Sequence, residues 1–572
     1  MVAAATCLAV AVVTGVTWPE NRRASRMAPA LGVDPGWTPW LLPVVVLAST
    51  VAAIVVVGHL LRIAFLRVGD PARPPGVGLT RVVVAASVVW TVAVAARICL
   101  TASEVFGRPV REAVTARNMR FLLADLPSGR ALVAALLLTV AVAVLSSRVR
   151  TANGAAGVLV LALVALMPPV ATGHASSGAG HQVIISALLL HIAAAVLWTG
   201  GLTALVVGPR DRGGELVTAV RRFSGLALVC FATVVVTGLL GAASRLSTLE
   251  ELVGTTYGLV LTAKVVALVI LGVAGAVHRG ASIPRLVAGR RGAFARLAGV
   301  EVLVMAATMG LAVALARTPP PTDFGVAVLE TPFAPAMRWL PEPVFLAAMI
   351  AAVAAYAMAV RRLRGLGQTW PLRRLLAWTG GWVALVGAAT TQLAVVNPRA
   401  TDVVSTAQHF TAAVVAPALI VAGAPLTLAT AAGPAGGGMG ERVVAVARGL
   451  LGWFSARLGP GLLLYAAALY AVALTAVNDW STRYHGVHLL IYGVAVAAGA
   501  LASCLSGRTA MLPAGTSRPR LLTVVGATTL LQIVFTLALI EAGAGALPIV
   551  GAILFLVAVA GAATARVVTA PA

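Results

Sequence analysis

Apolar runs of roughly twenty residues, repeated along the chain and separated by short polar loops, leave few ways for it to fold. They fall near 2–18, 41–66, 80–101, 131–147, 154–172, 183–207, 223–243, 257–277 and 296–316. A second series covers about 342–360, 376–396, 405–431, 459–477, 485–505, 520–541 and 546–568. Twenty residues at 1.5 Å each cover about 30 Å, the thickness of a bilayer's hydrocarbon core. Backbone N–H and C=O groups find no water there, so runs of this kind are helices. The fold class expected is an all-α integral membrane protein of about sixteen transmembrane helices in two helical bundles. Charged residues make up only 10% of the chain, well below the share in a soluble protein, so no soluble domain of any size is expected. The opening run, Met1 to Trp18, has no basic leader and is read as a first helix, not a removed signal peptide.

The net charge of +24 would suggest nucleic acid in a soluble protein. Here the arginines lie in the loops, where they set orientation, and no nucleic-acid partner is expected. Loops 208–222, 278–296, 361–375, 432–457 and 506–520 are rich in arginine; 173–182, 244–256, 397–404, 478–484 and 542–546 hold few or none. The alternation puts the rich loops and both termini in the cytoplasm. Two early loops break the pattern: 19–40 with Arg22, Arg23 and Arg26, and 102–130 with Arg108, Arg111, Arg117, Arg120 and Arg130. The second is either a long loop that obeys the rule weakly or an amphipathic helix on the outer surface. Arg317 to Pro343, with its Thr-Pro-Pro-Pro-Thr stretch, divides the two series, because proline stops helices.

This orientation sorts the eight histidines. His174 and His181 flank an outer glycine-bearing loop, and His191 lies about 12 Å along the next helix from its outer end. His409 opens one helix on the outer side, and His485 and His488, one turn apart on a shared face, open another. Only His59 and His278 map towards the cytoplasm. Imidazole is a common ligand for copper and zinc, so these six outer histidines are the candidate metal ligands. The plainer alternative is that they are mild polar residues of outward loops, with His191 bonded to a neighbouring helix.

Ionisable groups within apolar runs cost about 2.5–3.5 kcal/mol each at a helix centre and so need a reason. Lys264 and Glu301 are two such groups. Their depths differ, which leaves a direct pair between them open. Met305 and Met309 follow Glu301 at i+4 and i+8, so that one helix face offers a hard and two soft ligands or simply packs. Trp198 lies two turns beyond His191 on the same face, and Gly200 and Gly201 permit close helix approach. Cys7, Cys99, Cys230 and Cys504 are far apart and read as small apolar residues. No P-loop, Gly-x-Ser-x-Gly or His-Glu-x-x-His occurs, so the chain is not expected to be an enzyme.

The stretch from Leu190 through His191 and Trp198 to Leu205 resembles the copper-resistance D (CopD) family. So do Thr-Gly-His174, His181, Arg222-Phe-Ser-Gly-Leu-Ala, Val236-Thr-Gly-Leu239, the segment Thr256 to Lys264, and the helix with Arg296 and Glu301. The second half, through Ala407-Gln-His409-Phe, Val415 to Leu426, and His485 and His488 before Gly493, resembles the CtaG-type cytochrome c oxidase assembly family. That family's His-x-x-Gln-His reads Ser405-x-x-Gln-His here. A fusion of the two resembles an arrangement found in actinobacteria. The domains expected are N-terminal helices of unassigned role over 1–150, a CopD-like domain over 151–318, a Pro-rich linker over 319–341 and a CtaG-like domain over 342–572.

The resemblance implies a plasma-membrane protein that moves copper between the outer face and the cell and supports oxidase copper-site assembly. Its partners would be the lipid bilayer and either oxidase subunits or a periplasmic copper chaperone. The cargo expected is Cu(I), which accepts imidazole and thioether ligands. His174, His181 and His191 would form one outer site with Trp198 and Lys264 in its wall, and His409, His485 and His488 a second. Haem is not expected, since only His191 is well buried in the first half. A metal-free assembly scaffold, a haem-binding transmembrane electron carrier and a proton-coupled solute transporter are the other readings.

Overall fold

A computed structural model describes residues 2–27, 33–34, 36–67, 76–171, 181–207, 213–246, 248–289, 291–321, 341–390, 407–432, 449, 463–467, 485–504, 526 and 530. They form helices and turns, with no strand among the described residues. The chain divides into two units, Met1–Pro335 and Ala336–Ala572.

The first unit holds α1 (Val2–Met27), α2 (Thr38–Leu61), α3 (Val77–Phe106), α4 (Pro127–Ser146), α5 (Ala152–Ala165), α6 (His181–Val207), α7 (Gly213–Ala243), α8 (Thr256–Val277) and α9 (Arg291–Leu315). The second holds α10 (Pro343–Gly365), α11 (Leu372–Ala389), α12 (Ala407–Ala431, the bounds of its apolar span) and α13 (His485–Ser503). Among the described residues eleven helices are long and apolar enough to cross a membrane. The expected run at 546–568, and most of those at 459–477 and 520–541, lie outside the described residues.

Helix α2 is the centre of the first unit, packed against α1, α3, α5, α6 and α9. Its contact with α6 has no room for side chains: a Cβ on Gly200 would lie 2.6 Å from the Ile54 carbonyl and 2.9 Å from the Gly58 nitrogen. Small residues let helices in lipid approach until their backbones touch. On the other side of the bundle, Leu239 of α7 is 65% exposed and Val269 of α8 60%, as expected of faces turned to hydrocarbon. At the arginine-rich end, cationic side chains close the helix C-termini. Arg62 Nη1 donates to the Ala204 carbonyl at 2.6 Å, and Arg222 Nη1 to those of Phe65 and Arg67, both at 3.2 Å. Carbonyls at a helix end have no partner within the helix and carry its negative dipole, so arginine suits them.

The segment between α3 and α4 is neither an open loop nor one amphipathic helix. Gly107, at φ +61°, ends α3, and three short helical turns follow, Val110–Ala113, Ala116–Arg120 and Phe121–Asp125. Leu122 is buried there against Ile98, Ala102 and Leu132, which fixes the turns to the bundle.

In the second unit α11 packs against α10 and α12, and α12 against α13. Helix α12 passes through a π-turn at Thr411–Val415 after its first turn and breaks at Ala424, a left-handed residue at φ +51°. The break is tied down from α10: the Tyr356 hydroxyl donates to the Gly423 carbonyl at 2.8 Å, while the Trp370 indole donates to Tyr356 at 2.7 Å.

Candidate metal-handling sites

In the second unit the residues expected at the outer mouth come together. His485 and His488 lie one turn apart at the start of α13, with stacked rings 5.9 Å apart. His488 packs 4.3 Å from the Tyr492 ring, and His409, from the first turn of α12, meets the same tyrosine edge-on at 6.0 Å. All three histidines are buried. The crossing that brings α12 to α13 depends on Gly499, where a Cβ would lie 2.8 Å from the Pro417 ring and run into the Ala413 carbonyl.

Glu342 is the acid of this cluster. It caps α10, with Oε2 accepting from the Phe345 amide at 2.7 Å, while Oε1 lies 3.6 Å from His485 Nε2. Both side chains are shut away from solvent, so the acid and the imidazole face each other in a low-dielectric setting. Gln408 next to His409 is anchored through its amide to the Thr390 carbonyl at 2.9 Å. Sequence reasoning did not single out Glu342, the first residue of the CtaG-like region over 342–572. The signal available was an acid between two prolines at a helix start, a usual capping position.

Donors of this kind suit a soft monovalent or borderline divalent ion. Among the described residues, however, no three His, Cys, Asp or Glu side chains converge closely enough to cage an ion. Binding one ion with all three imidazoles therefore requires them to rotate inwards.

The first unit places its expected residues differently. His174 lies outside the described residues, and His181 begins α6 with no side-chain description. His191 Nδ1 lies 3.0 Å from Thr237 Oγ1 on α7. The Thr237 hydroxyl has one proton and donates it to the Thr233 carbonyl at 2.5 Å, so it can only accept from His191. The ring is thus held with Nδ1 protonated and the Nε2 lone pair available for a metal. Trp198 is buried edge-on to Phe231 at 5.6 Å, which fits α6 as a packed helix. Lys264 acts electrostatically on His191, and Arg245 on Lys264. A cation beside the imidazole opposes a bare metal cation, so an ion there needs an anionic companion ligand.

Glu301 does not pair with Lys264. Its Oε2 lies 3.2 Å from Nε2 of His278, which follows α8 and opens a π-turn, His278–Ser282. Met305 is buried one turn further along α9, and Met309 packs against the same core.

Comparison with known families assigns these regions. Residues 37–184 match the copper resistance protein D-like N-terminal domain, 217–315 copper resistance protein D, and 354–563 the cytochrome c oxidase caa3 assembly factor Caa3_CtaG. The N-terminal helices left without a role in the sequence reading thus fall largely within a copper-resistance match, while His191 and Trp198 lie between the two copper-resistance matches. An uncharacterized protein of Mycobacterium leprae is 31% identical over 149 residues, 24% of this chain and 22% of its own length. Uncharacterized proteins of Mycobacterium bovis and Mycobacterium tuberculosis are each 29% identical over 166 residues, 27% of this chain and 25% of theirs. The chain therefore spans about a quarter of the curated relatives it matches. No solved structure matches it. In one multi-pass membrane chain, copper-resistance D domains are joined to an oxidase assembly domain of the CtaG type, which gives the protein a copper-related role at the membrane.

Proposed function

We propose that this protein accepts copper at the extracytoplasmic face of the plasma membrane and supports the assembly of copper sites in cytochrome c oxidase, as a carrier and not as an enzyme. The observation that carries the reading is the buried cluster of His409, His485, His488 and Glu342 in the CtaG-type unit. Three neutral imidazoles and one carboxylate balance the charge of Cu(I), so that the loaded site buries little net charge. Oxidase copper sites are loaded from the outer side, where the arginine pattern puts these histidines. The same pattern puts both termini in the cytoplasm. The CopD-type unit supplies the membrane path, with His191 oriented by Thr237 near its outer end. The receiving partner is an oxidase subunit or a periplasmic copper chaperone.

Replacing His409 and His488 together by alanine tests this in cells grown at limiting copper. Oxidase activity falls in the variant and recovers when copper is added in excess. Full activity of the double variant at limiting copper is the result that defeats the proposal. The lack of a closed cage among the described residues favours a second reading, a metal-free assembly scaffold. Metal analysis of purified protein after exposure to a competing chelator separates the two, because a scaffold retains no copper.

A further inference from the structure

We propose a second metal site, at the arginine-rich end of the first unit, in which His278 and Glu301 hold one Cu(I) ion and Met305 completes the ligand set. The inference rests on the copper-carrying role proposed above and extends it to residues which that role leaves unused.

Three observations support it. First, the two side chains come from different elements and are both closed off, at 10% and 6% exposure, with His278 Nε2 and Glu301 Oε2 3.2 Å apart. Two ligands bound at about 2.0–2.2 Å to one tetrahedral ion lie about 3.3–3.6 Å from each other, so the observed separation is close to that of ligands on a shared metal. Second, the pair lacks the geometry of a hydrogen bond, and neither ring nitrogen of His278 has a hydrogen-bond partner in the structure. An imidazole confined beside a carboxylate ordinarily donates to it, because a buried polar group without a partner costs about 1–3 kcal/mol. An imidazole nitrogen that faces a carboxylate oxygen without such a bond is placed to share a cation with it. Third, the ring is held in position. It packs against Phe294 at 5.1 Å and opens the π-turn His278–Ser282, a distortion often found at functional sites.

Met305 supplies the softness. It stands one turn from Glu301 on the same face of α9 and is 2% exposed. Imidazole and thioether suit Cu(I), while the carboxylate cancels its charge in a low-dielectric setting. The nearby arginines do not compete for the acid: Arg279 is engaged by Ser224, with Nε to Oγ at 3.1 Å and Nη2 to the carbonyl at 2.7 Å, and Arg285 and Arg296 are exposed. The site is thus suited to be the station at which copper leaves the membrane path of the first unit, or joins it.

The test is a Cu(I) titration of the purified full chain under anaerobic reducing conditions against a chromophoric chelator. Glu301→Gln and His278→Gln should each lose one Cu(I) equivalent that His409→Ala retains. Met305→Leu, which conserves volume and so leaves folding intact, should weaken that equivalent at least tenfold and remove a sulfur scatterer from the copper X-ray absorption spectrum. If both pair variants bind as many equivalents as the wild type, or if Met305→Leu changes neither affinity nor spectrum, the site is overturned while the copper-carrying role stands. If the wild type binds no copper, both fall.

Discussion

Thr237 fixes the tautomer of His191: its hydroxyl gives its proton to the Thr233 carbonyl and so takes the Nδ1 proton of the imidazole across 3.0 Å. Groups that orient a ligating histidine in this way typically carry 10–100-fold in metal affinity. Thr237→Val keeps the shape and removes the acceptor, so Cu(I) affinity at the His191 site is expected to fall about 10–100-fold, and Thr237→Ser to restore most of it. Chelator competition measures both. Equal affinities in all three proteins would mean that His191 binds no metal and is only a helix-to-helix hydrogen bond.

Glu342 has two duties that substitution can separate. It caps α10 through the Phe345 amide and it sets a negative charge beside His485. Glu342→Gln keeps a side-chain oxygen for the cap but loses the charge. It should leave thermal stability nearly unchanged and weaken copper binding at the His409, His485 and His488 cluster at least tenfold. Glu342→Ala loses both, with a further stability cost of about 1 kcal/mol. Copper titration together with thermal unfolding in detergent reads the two effects. Undiminished copper binding in Glu342→Gln would show that the acid is a cap alone.

The contact between α2 and α6 is expected to be intolerant of any side chain at Gly200. A Cβ there would press on the Ile54 carbonyl and the Gly58 nitrogen, and backbone cannot move aside as a flexible side chain does. Gly200→Ala should cost about 1–3 kcal/mol, the usual range for overpacking. Gly157 in α5 is the control. Nothing lies within 4 Å of a Cβ built on it, so Gly157→Ala should be neutral or stabilising by up to about 1 kcal/mol. Unfolding followed by size-exclusion fluorescence distinguishes them.

How far these features could be read in advance depends on whether their cause is local. The run at 183–207 became His181–Val207, and that at 257–277 became Thr256–Val277, because the length and apolarity that make a transmembrane helix are properties of the segment itself. The face shared by His485 and His488 followed from helical spacing. Partners that arrive from another helix were not legible. Thr237 for His191, His278 for Glu301 and Glu342 for His485 are 46, 23 and 143 residues away in sequence, and no periodicity relates one member to the other. Depth alone leaves a Glu301–Lys264 pair open, and in the structure Glu301 lies instead against the histidine that begins the π-turn after α8. His174 belongs to a segment outside the described residues, so its place in an outer site rests on the sequence.

Ala424 gives the last prediction. It is the one described residue other than glycine with a positive φ, +51°, and it sits between Gly423 and Pro425 at the break in α12. A left-handed conformation costs an L-residue with a Cβ roughly 1–2 kcal/mol, and glycine nothing. The conformation persists because the neighbouring contacts require it: Tyr356 holds the Gly423 carbonyl, and Trp378 lies where a Cβ on Gly423 would go, at 2.8 Å. Ala424→Gly should therefore stabilise the second unit by about 1 kcal/mol, less than the full relief because glycine also gains freedom in the unfolded chain. A bulky β-branched residue at the same place, Ala424→Val, should destabilise it by more than that. Melting temperatures that fall in order from Ala424→Gly through wild type to Ala424→Val would establish the break as a strained hinge held by α10 and α11. A lower value for Ala424→Gly than for the wild type would mean that the kink carries no strain.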